Sequence, residues 1–142
     1  MTSQLNVDTI VDKAGSGGTN VKVANTSTYV SDGGTGTLNL VQGLCKAFVV
    51  YGEDTAIDAG SFNMGSLTDV GTGITDHNFT INFASSESYT TALSSIPGTD
   101  VAERPRLSSC DSNKTRTVNE EVDTSTDRDA DQFHYSAHGD LA

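Results

Sequence analysis

Carboxylates crowd one short stretch of this chain. In DTSTDRDAD, residues 123–131, the acids Asp123, Asp127, Asp129 and Asp131 recur with the alternation that lets aspartates ligate calcium. An EF-hand loop also needs a glycine at its sixth position and a glutamate at its twelfth. Counted from Asp127, those places hold Gln132 and His138. The stretch, with Arg128 among its acids, therefore reads as a solvated loop between the last two strands, and no metal is expected in it. The only histidines are His77, His134 and His138. On an extended strand His134 and His138 face the same side, roughly 13 Å apart at about 3.3 Å per residue, too far to share an ion. Only a symmetry axis gathering copies of one histidine would make a metal site.

Nucleophilic and acid–base chemistry finds no better support. No serine sits in a GxSxG elbow, and Cys110 has no base near it in sequence. Glu120 and Glu121 are adjacent, so a strand would point them to opposite faces rather than across one scissile bond. The chain is expected to be no enzyme and to carry no cofactor. Cys45, in the apolar context LCKAFVV, is expected to be a buried free thiol, with a single bridge to Cys110 as the alternative. The triplets at Asn25, Asn78 and Asn113 fit a glycosylation acceptor but are idle in a protein made in bacterial cytoplasm.

The elements that would position these groups follow from composition. With 142 residues the chain has room for one core and an appendage. Hydrophobic residues make up only 35% and Trp is absent, while Thr, Ser, Asp, Gly and Asn abound, which favours strands joined by tight turns. A net charge of -11 argues against a nucleic-acid partner, which needs clustered Lys and Arg; the eight such residues read as scattered. It also disfavours anionic membranes. No stretch approaches the roughly 20 apolar residues of a membrane span, and MTSQLNV lacks the basic start and apolar run of a secretory signal, so the chain reads as beginning at its native start.

Two parts are expected, residues 1–44 and 45–142. In the first, Leu5, Val7 and Ile10, a glycine turn at residues 14–19, and Val21 with Val23 suggest a hairpin too small to stand alone. Residues 26–36 read as a polar linker around Tyr29 and Val30. In TLNLVQGL, Leu38, Val41 and Cys45, with the pair Leu40 and Leu44, fall at helical spacing, so a neck helix of one or two turns or an irregular connector follows.

Beyond Cys45 the alternation predicts about seven strands in an antiparallel β-sandwich: 45–51, 61–69, 76–83, 88–95, 106–111, 114–122 and 132–138. Residues 61–83 read as a hairpin turning at Gly71, Thr72 and Gly73. Its second arm places Phe79, Ile81 and Phe83 on one side. In its first arm Phe62 and Met64 share a parity that Leu67 breaks, and one extra residue near Gly65 repairs the mismatch, so a β-bulge is expected there.

QGLCKAFVVYGEDTAIDAGSFNMGSLTDVGTGITDHNFTINF, residues 42–83, resembles a module of tail-fibre and other tail-associated proteins of marine bacteriophages. The module has a QGL.KA-aromatic strand, an Asp- or Gly-rich bend and an SFN..S.TD.GTG....I.F hairpin. LNVDTIVDKAGSGG is similar to the virion-proximal starts of such proteins. Together these cover about 55 of the 142 residues. Phe48 stands where the family usually has Trp, Cys45 stands where it has a small residue, and the likeness fades after Tyr89.

The resemblance implies a structural virion protein made in the bacterial host cytoplasm, a homotrimer, attached through an N-terminal strand carrying Leu5, Val7, Asp8 and Ile10, with an exposed C-terminal β-domain. The depolymerases known among phage tail proteins need long solenoid grooves that this chain is too short to build. Expected partners are other copies, other phage tail or virion proteins, and a host cell-surface glycan or protein met by loops 53–60, 97–105 and 123–131. The last is ranked first, through Asp123, Asp127, Arg128, Asp129 and Asp131. An adaptor, plug or decoration protein is the alternative. A lectin-like carbohydrate-binding module, using Tyr51, Tyr89 and Tyr135 as sugar platforms, is a further one.

Overall fold

The computed structural model describes residues 27–30, 36–98 and 101–142. The attachment residues Leu5, Val7, Asp8 and Ile10, and the hairpin expected around them, lie outside the described residues. The chain divides into two units, Met1–Val41 and Gln42–Ala142.

In the first unit, β1 (Thr28–Val30) pairs antiparallel with β2 (Thr37–Asn39), Tyr29 opposite Leu38. The expected linker therefore contributes a strand, because Thr, Tyr and Val suit a pleated backbone better than a coil. The backbone N–H of Leu40 donates to the carbonyl of Ser27 at 2.9 Å. The helical run expected from Leu38 shrinks to the single turn α1 (Leu40–Gly43), since Thr37, Leu38 and Asn39 are held extended by their ladder partners.

The second unit is all-β. Its strands are β3 (Cys45–Gly52), β4 (Ile57–Phe62), β5 (Met64–Gly71), β6 (Ile74–Phe79), β7 (Tyr89–Ile96), β8 (Glu103–Cys110), β9 (Lys114–Glu121) and β10 (Gln132–Gly139). They form two four-stranded antiparallel sheets, ordered β4-β3-β10-β7 and β5-β6-β9-β8. This is the architecture of a β-sandwich, with one strand more than the sequence suggested.

Alternation along β3 and β10 builds one wall of the core. Ala47, Val49 and Tyr51 point inward with Phe133, Tyr135 and Ala137, all buried. The facing wall is unusually polar: Thr75, His77, Thr115, Thr117 and Asn119 are buried alongside Phe79. A chain this poor in apolar residues fills its core with hydroxyls and rings, and burying their polar atoms is cheap only where they are bonded; among the described residues His77 Nε2 and Asn119 Oδ1 are buried without a partner. The Tyr135 phenol donates to Thr115 Oγ1 at 3.1 Å, and the Tyr51 phenol bonds Thr75 and Thr117. His77 stacks on Tyr135 with ring centroids 4.5 Å apart and meets Tyr51 edge-on at 5.3 Å. Nearer the other end, Phe83 lies between Phe79 and Tyr89, at 4.9 and 4.1 Å.

The hairpin around Gly71, Thr72 and Gly73 is present as β5 and β6. Its register slips between Met64 and Ser66, leaving Gly65 as the expected bulge. That extra residue is what lets Met64 and Leu67 both pack against the core. Phe62, however, does not belong to this hairpin. It ends β4 in the other sheet, and the chain crosses between sheets at Asn63, whose φ is 56°.

The Asn63 side chain also stops β6 early. Its Oδ1 accepts from the Ile81 N–H at 2.6 Å and its Nδ2 donates to the Ile81 carbonyl at 2.9 Å. The run expected over 76–83 thus spans Ile74–Phe79, and Ile81 is 53% exposed although Phe83 returns to the core. Strand β4 escaped the reading because IDAGSF lacks alternation. Its pairing with β3 breaks between Val50 and Tyr51, and Gly60 has a φ of 117°. Strand β8 starts at Glu103 and includes Pro105, which an edge strand accommodates because no neighbour needs its N–H. Cys45 is exposed, not buried, because it opens β3 at the rim of the sheet; both cysteines are free.

Candidate functional site: a loop end and a clamped charged face

Strand β3 carries the chain from its entry into the sandwich, where Cys45 pairs with His138, to the opposite end at Gly52. The three loops singled out in the sequence meet at that opposite end. A Cβ on Gly52 would lie 3.3 Å from Asp58 Oδ2, 3.5 Å from Asp54 Oδ1 and 3.6 Å from the Asp131 carbonyl. On Gly98 it would collide with the Asp131 carboxylate. Residues 52–58, 96–98 and 128–131 therefore share one rim.

The loop after β9 is laid back on the scaffold. Asp129 Oδ1 accepts from the Gly73 N–H at 2.6 Å, the Arg128 N–H donates to the Asn119 carbonyl at 2.9 Å, and Asp127 forms a bridge with Glu120. Arg128 Nη1 pairs with Glu121 Oε2 at 3.3 Å. Gly73 makes this seat possible: at φ 69°, a Cβ there would stand 2.7 Å from the Arg128 backbone and from the Asn119 carbonyl. Asp123 remains exposed at the far side of the loop. Of the five loop residues, Arg128 and Asp129 hold the loop, Asp127 bridges, Asp131 faces Gly98, and Asp123 faces solvent. Beneath them Tyr51, Glu53, Thr75, Asn119 and Phe133 line a cavity of about 20 Å³, room for one water and no larger ligand.

A second cluster was not anticipated. Alternation along β9 points Lys114, Arg116, Val118 and Glu120 away from the core, and Arg104 and Arg106 on β8 share that face through their partners Glu120 and Val118. On neighbouring β6, Asp76 lies opposite Arg116. Its carboxylate accepts from Arg116 at 2.6 and 2.9 Å and from Lys114 at 2.9 Å. The Arg116 hydrogen bonds, reinforced by Lys114, hold the Asp76 carboxyl down to about 2. Glu120 is gripped in the same way by Arg106 at 2.5 Å and Arg104 at 3.1 Å, and Arg106 in particular lowers its carboxyl below the usual range.

Four of the eight basic residues thus gather around two carboxylates, a local excess of two positive charges on a chain of net charge -11. The Lys and Arg that read as scattered are scattered only in sequence. The usable signal was the same-parity spacing of Arg104 with Arg106 and of Lys114 with Arg116.

The remaining candidates are structural. His77 is fully buried, with Nδ1 3.3 Å from the Thr115 carbonyl, and burial pushes its imidazole down to about 4. His134 and His138 lie on the outward side of β10, bonded to Gln132 at 3.0 Å and to the Gly43 carbonyl at 3.4 Å. Among the described residues no group of His, Cys, Asp and Glu is placed to hold a metal. Tyr51 and Tyr135 are core residues, and half-buried Tyr89 has Phe83 stacked on its ring at 4.1 Å and its phenol donating to the Asp111 carbonyl at 2.9 Å. Compared with known proteins, the chain matches no family model, no curated protein and no solved structure.

Proposed function

We propose that the chain is a structural bacteriophage virion protein of the tail-fibre type. Its N-terminal segment, through Leu5, Val7, Asp8 and Ile10, attaches to the particle, and a trimer displays the sandwich for host-surface recognition or for holding other tail parts. The observation that supports this most directly is the polarity of the sandwich. Chain entry at Cys45 and the return of β10 at His138 share one end, while Asp54, Asp58, Gly98 and Asp131 share the other. The seven steps of β3 from Cys45 to Gly52 separate the ends by roughly 23 Å at about 3.3 Å each. A module held at its entry end presents the loop end outward, and linked copies convert weak loop contacts into avid ones.

The test is twofold. Gold-labelled antibody against the purified chain should mark the tail of intact particles, and the soluble chain should compete with those particles for adsorption to host cells. Label on the capsid, or at a joint between tail parts without competition, would replace this reading with the decoration or adaptor one. Absence from the particle would remove both.

A further inference from the structure

Asn119 holds the loop after β9 with every polar group it has but one. Its backbone N–H donates to the Gly73 carbonyl and its own carbonyl accepts from the Arg128 N–H, both at 2.9 Å. Its side-chain Nδ2 donates to Glu103 Oε2 at 2.6 Å and to the Arg128 carbonyl at 3.1 Å. An amide nitrogen carries two hydrogens, so both are spent. The remaining atom, Oδ1, is buried without a partner in a residue only 2% exposed. Turning the amide over does not cure this. Exchanging Oδ1 and Nδ2 would set the oxygen against the Glu103 carboxylate and the Arg128 carbonyl, both of them acceptors. The orphan is therefore an acceptor, and what satisfies it must be a donor.

The same residue lines the cavity of about 20 Å³ at the loop end. One water needs roughly 10–15 Å³ and two to four polar partners. Thr75, Glu53 and Asp129 share the wall with Asn119, the hydroxyl able to donate or accept and the carboxylates able to accept. The other buried orphan, His77 Nε2, does not line this cavity; its ring is stacked on Tyr135 and meets Tyr51 edge-on. Size and polarity thus single out Asn119. We infer that this cavity is the site of one structural water, which donates to Asn119 Oδ1 and finds its other bonds among Thr75, Glu53 and Asp129. A metal ion would also satisfy an oxygen, but among the described residues no group of His, Cys, Asp and Glu is placed to hold one. The four wall residues belong to β9, β6, the turn after β3 and the loop after β9, so a single molecule joins four segments at the foot of that loop. Nothing in this geometry depends on the chain being a virion protein.

A high-resolution crystal structure of the full chain, with water-to-protein NOEs in solution, tests this. Expected is a single density peak about 2.8 Å from Asn119 Oδ1, and NOEs from water to Ala130, which lines the same cavity. A second readout is the pair Ala130→Val and Ala130→Thr, close in shape and differing by a hydroxyl. Either side chain intrudes on the place of the water, but only threonine brings a donor in exchange, so the valine variant should melt lower than the threonine one by roughly 4 °C or more. Neither density nor NOE in the wild type overturns the proposal, whatever the variants do. A peak with several oxygens at about 2.3–2.6 Å, together with a melting temperature raised by calcium chloride, makes the occupant a cation and overturns it as well. A valine variant that melts no lower than the threonine one overturns the part of the water in holding the loop.

Discussion

The two outward faces of the sandwich are built on the same alternation yet hold opposite chemistry. On β5-β6-β9-β8, two nearly buried carboxylates each clamp two cations, so the charges are satisfied within the chain. On β4-β3-β10-β7, phenylalanine, serine and alanine occupy the equivalent places, and among the described residues Phe48 and Phe62 stay exposed. A face whose groups find partners at home stabilises the monomer, whereas one whose groups find none contributes only when something else covers it. The contrast is between a face satisfied by its own chain and one left exposed, and each substitution below bears on one side of it.

The largest expected effect comes from the core between the faces. The His77 imidazole, held neutral by burial, titrates at about 4 in the fold against 6.5 when unfolded. Its contribution is therefore complete above pH 6.5 and is lost as pH falls through about 4, a loss approaching about 3 kcal/mol. Denaturant melts across that window should show the decline, and His77→Phe should flatten it. The clamp on Asp76 answers in a lower window: its depressed carboxyl keeps its stabilisation above pH 3.8 and loses it as pH falls through about 2. A decline that His77→Phe leaves intact would shift the acid sensitivity from the core to the charged face.

Next in size is Asp76→Ala, which leaves Arg116 and Lys114 facing each other without their acid. Because both cations are about one-third exposed, the cost should be nearer about 2 kcal/mol than the larger figure for a fully buried pair. Glu120→Gln should cost less, since Arg104 and Arg106 are about half exposed and water takes over their solvation. Both losses should shrink in high salt. Smallest of all, Phe48→Ser and Phe62→Ser should change the stability of the isolated chain by no more than about 0.5 kcal/mol, as surface substitutions do. A large loss from either phenylalanine, or none from Asp76, would erase the distinction between the faces.

Much of the sandwich was legible because its signals are local. The alternation of Phe133, Tyr135 and Ala137 against His134, Ser136 and His138 is a strand with one buried face, and that is how β10 sits. The parity conflict between Met64 and Leu67 required one extra residue, and the bulge at Gly65 supplies it. What failed involved contacts between residues distant in sequence. Strand β4 exists because β3 offers it an edge. Strand β6 stops at Phe79 because the Asn63 side chain, 18 residues from Ile81, takes over that residue's backbone bonds. Cys45 in an apolar run looked buried, and its place at the first residue of β3, on the rim of the sheet, decides otherwise.

The same division holds for the candidate sites. Sequence alone determined that strands would form, that 123–131 would be a polar loop, and that Lys114 with Arg116 would share a side, since each follows from period-two geometry and turn chemistry. Only the tertiary structure decided that Asp76 and Glu120 would sit beneath those cations, that the acidic loops would meet at one rim, and that Phe62 would stand level with Phe48, Ser136 and Ala92. Charge and exposure belong to a surface, and a surface is assembled from strands whose order in the sheets, β4-β3-β10-β7 and β5-β6-β9-β8, is not their order in the chain.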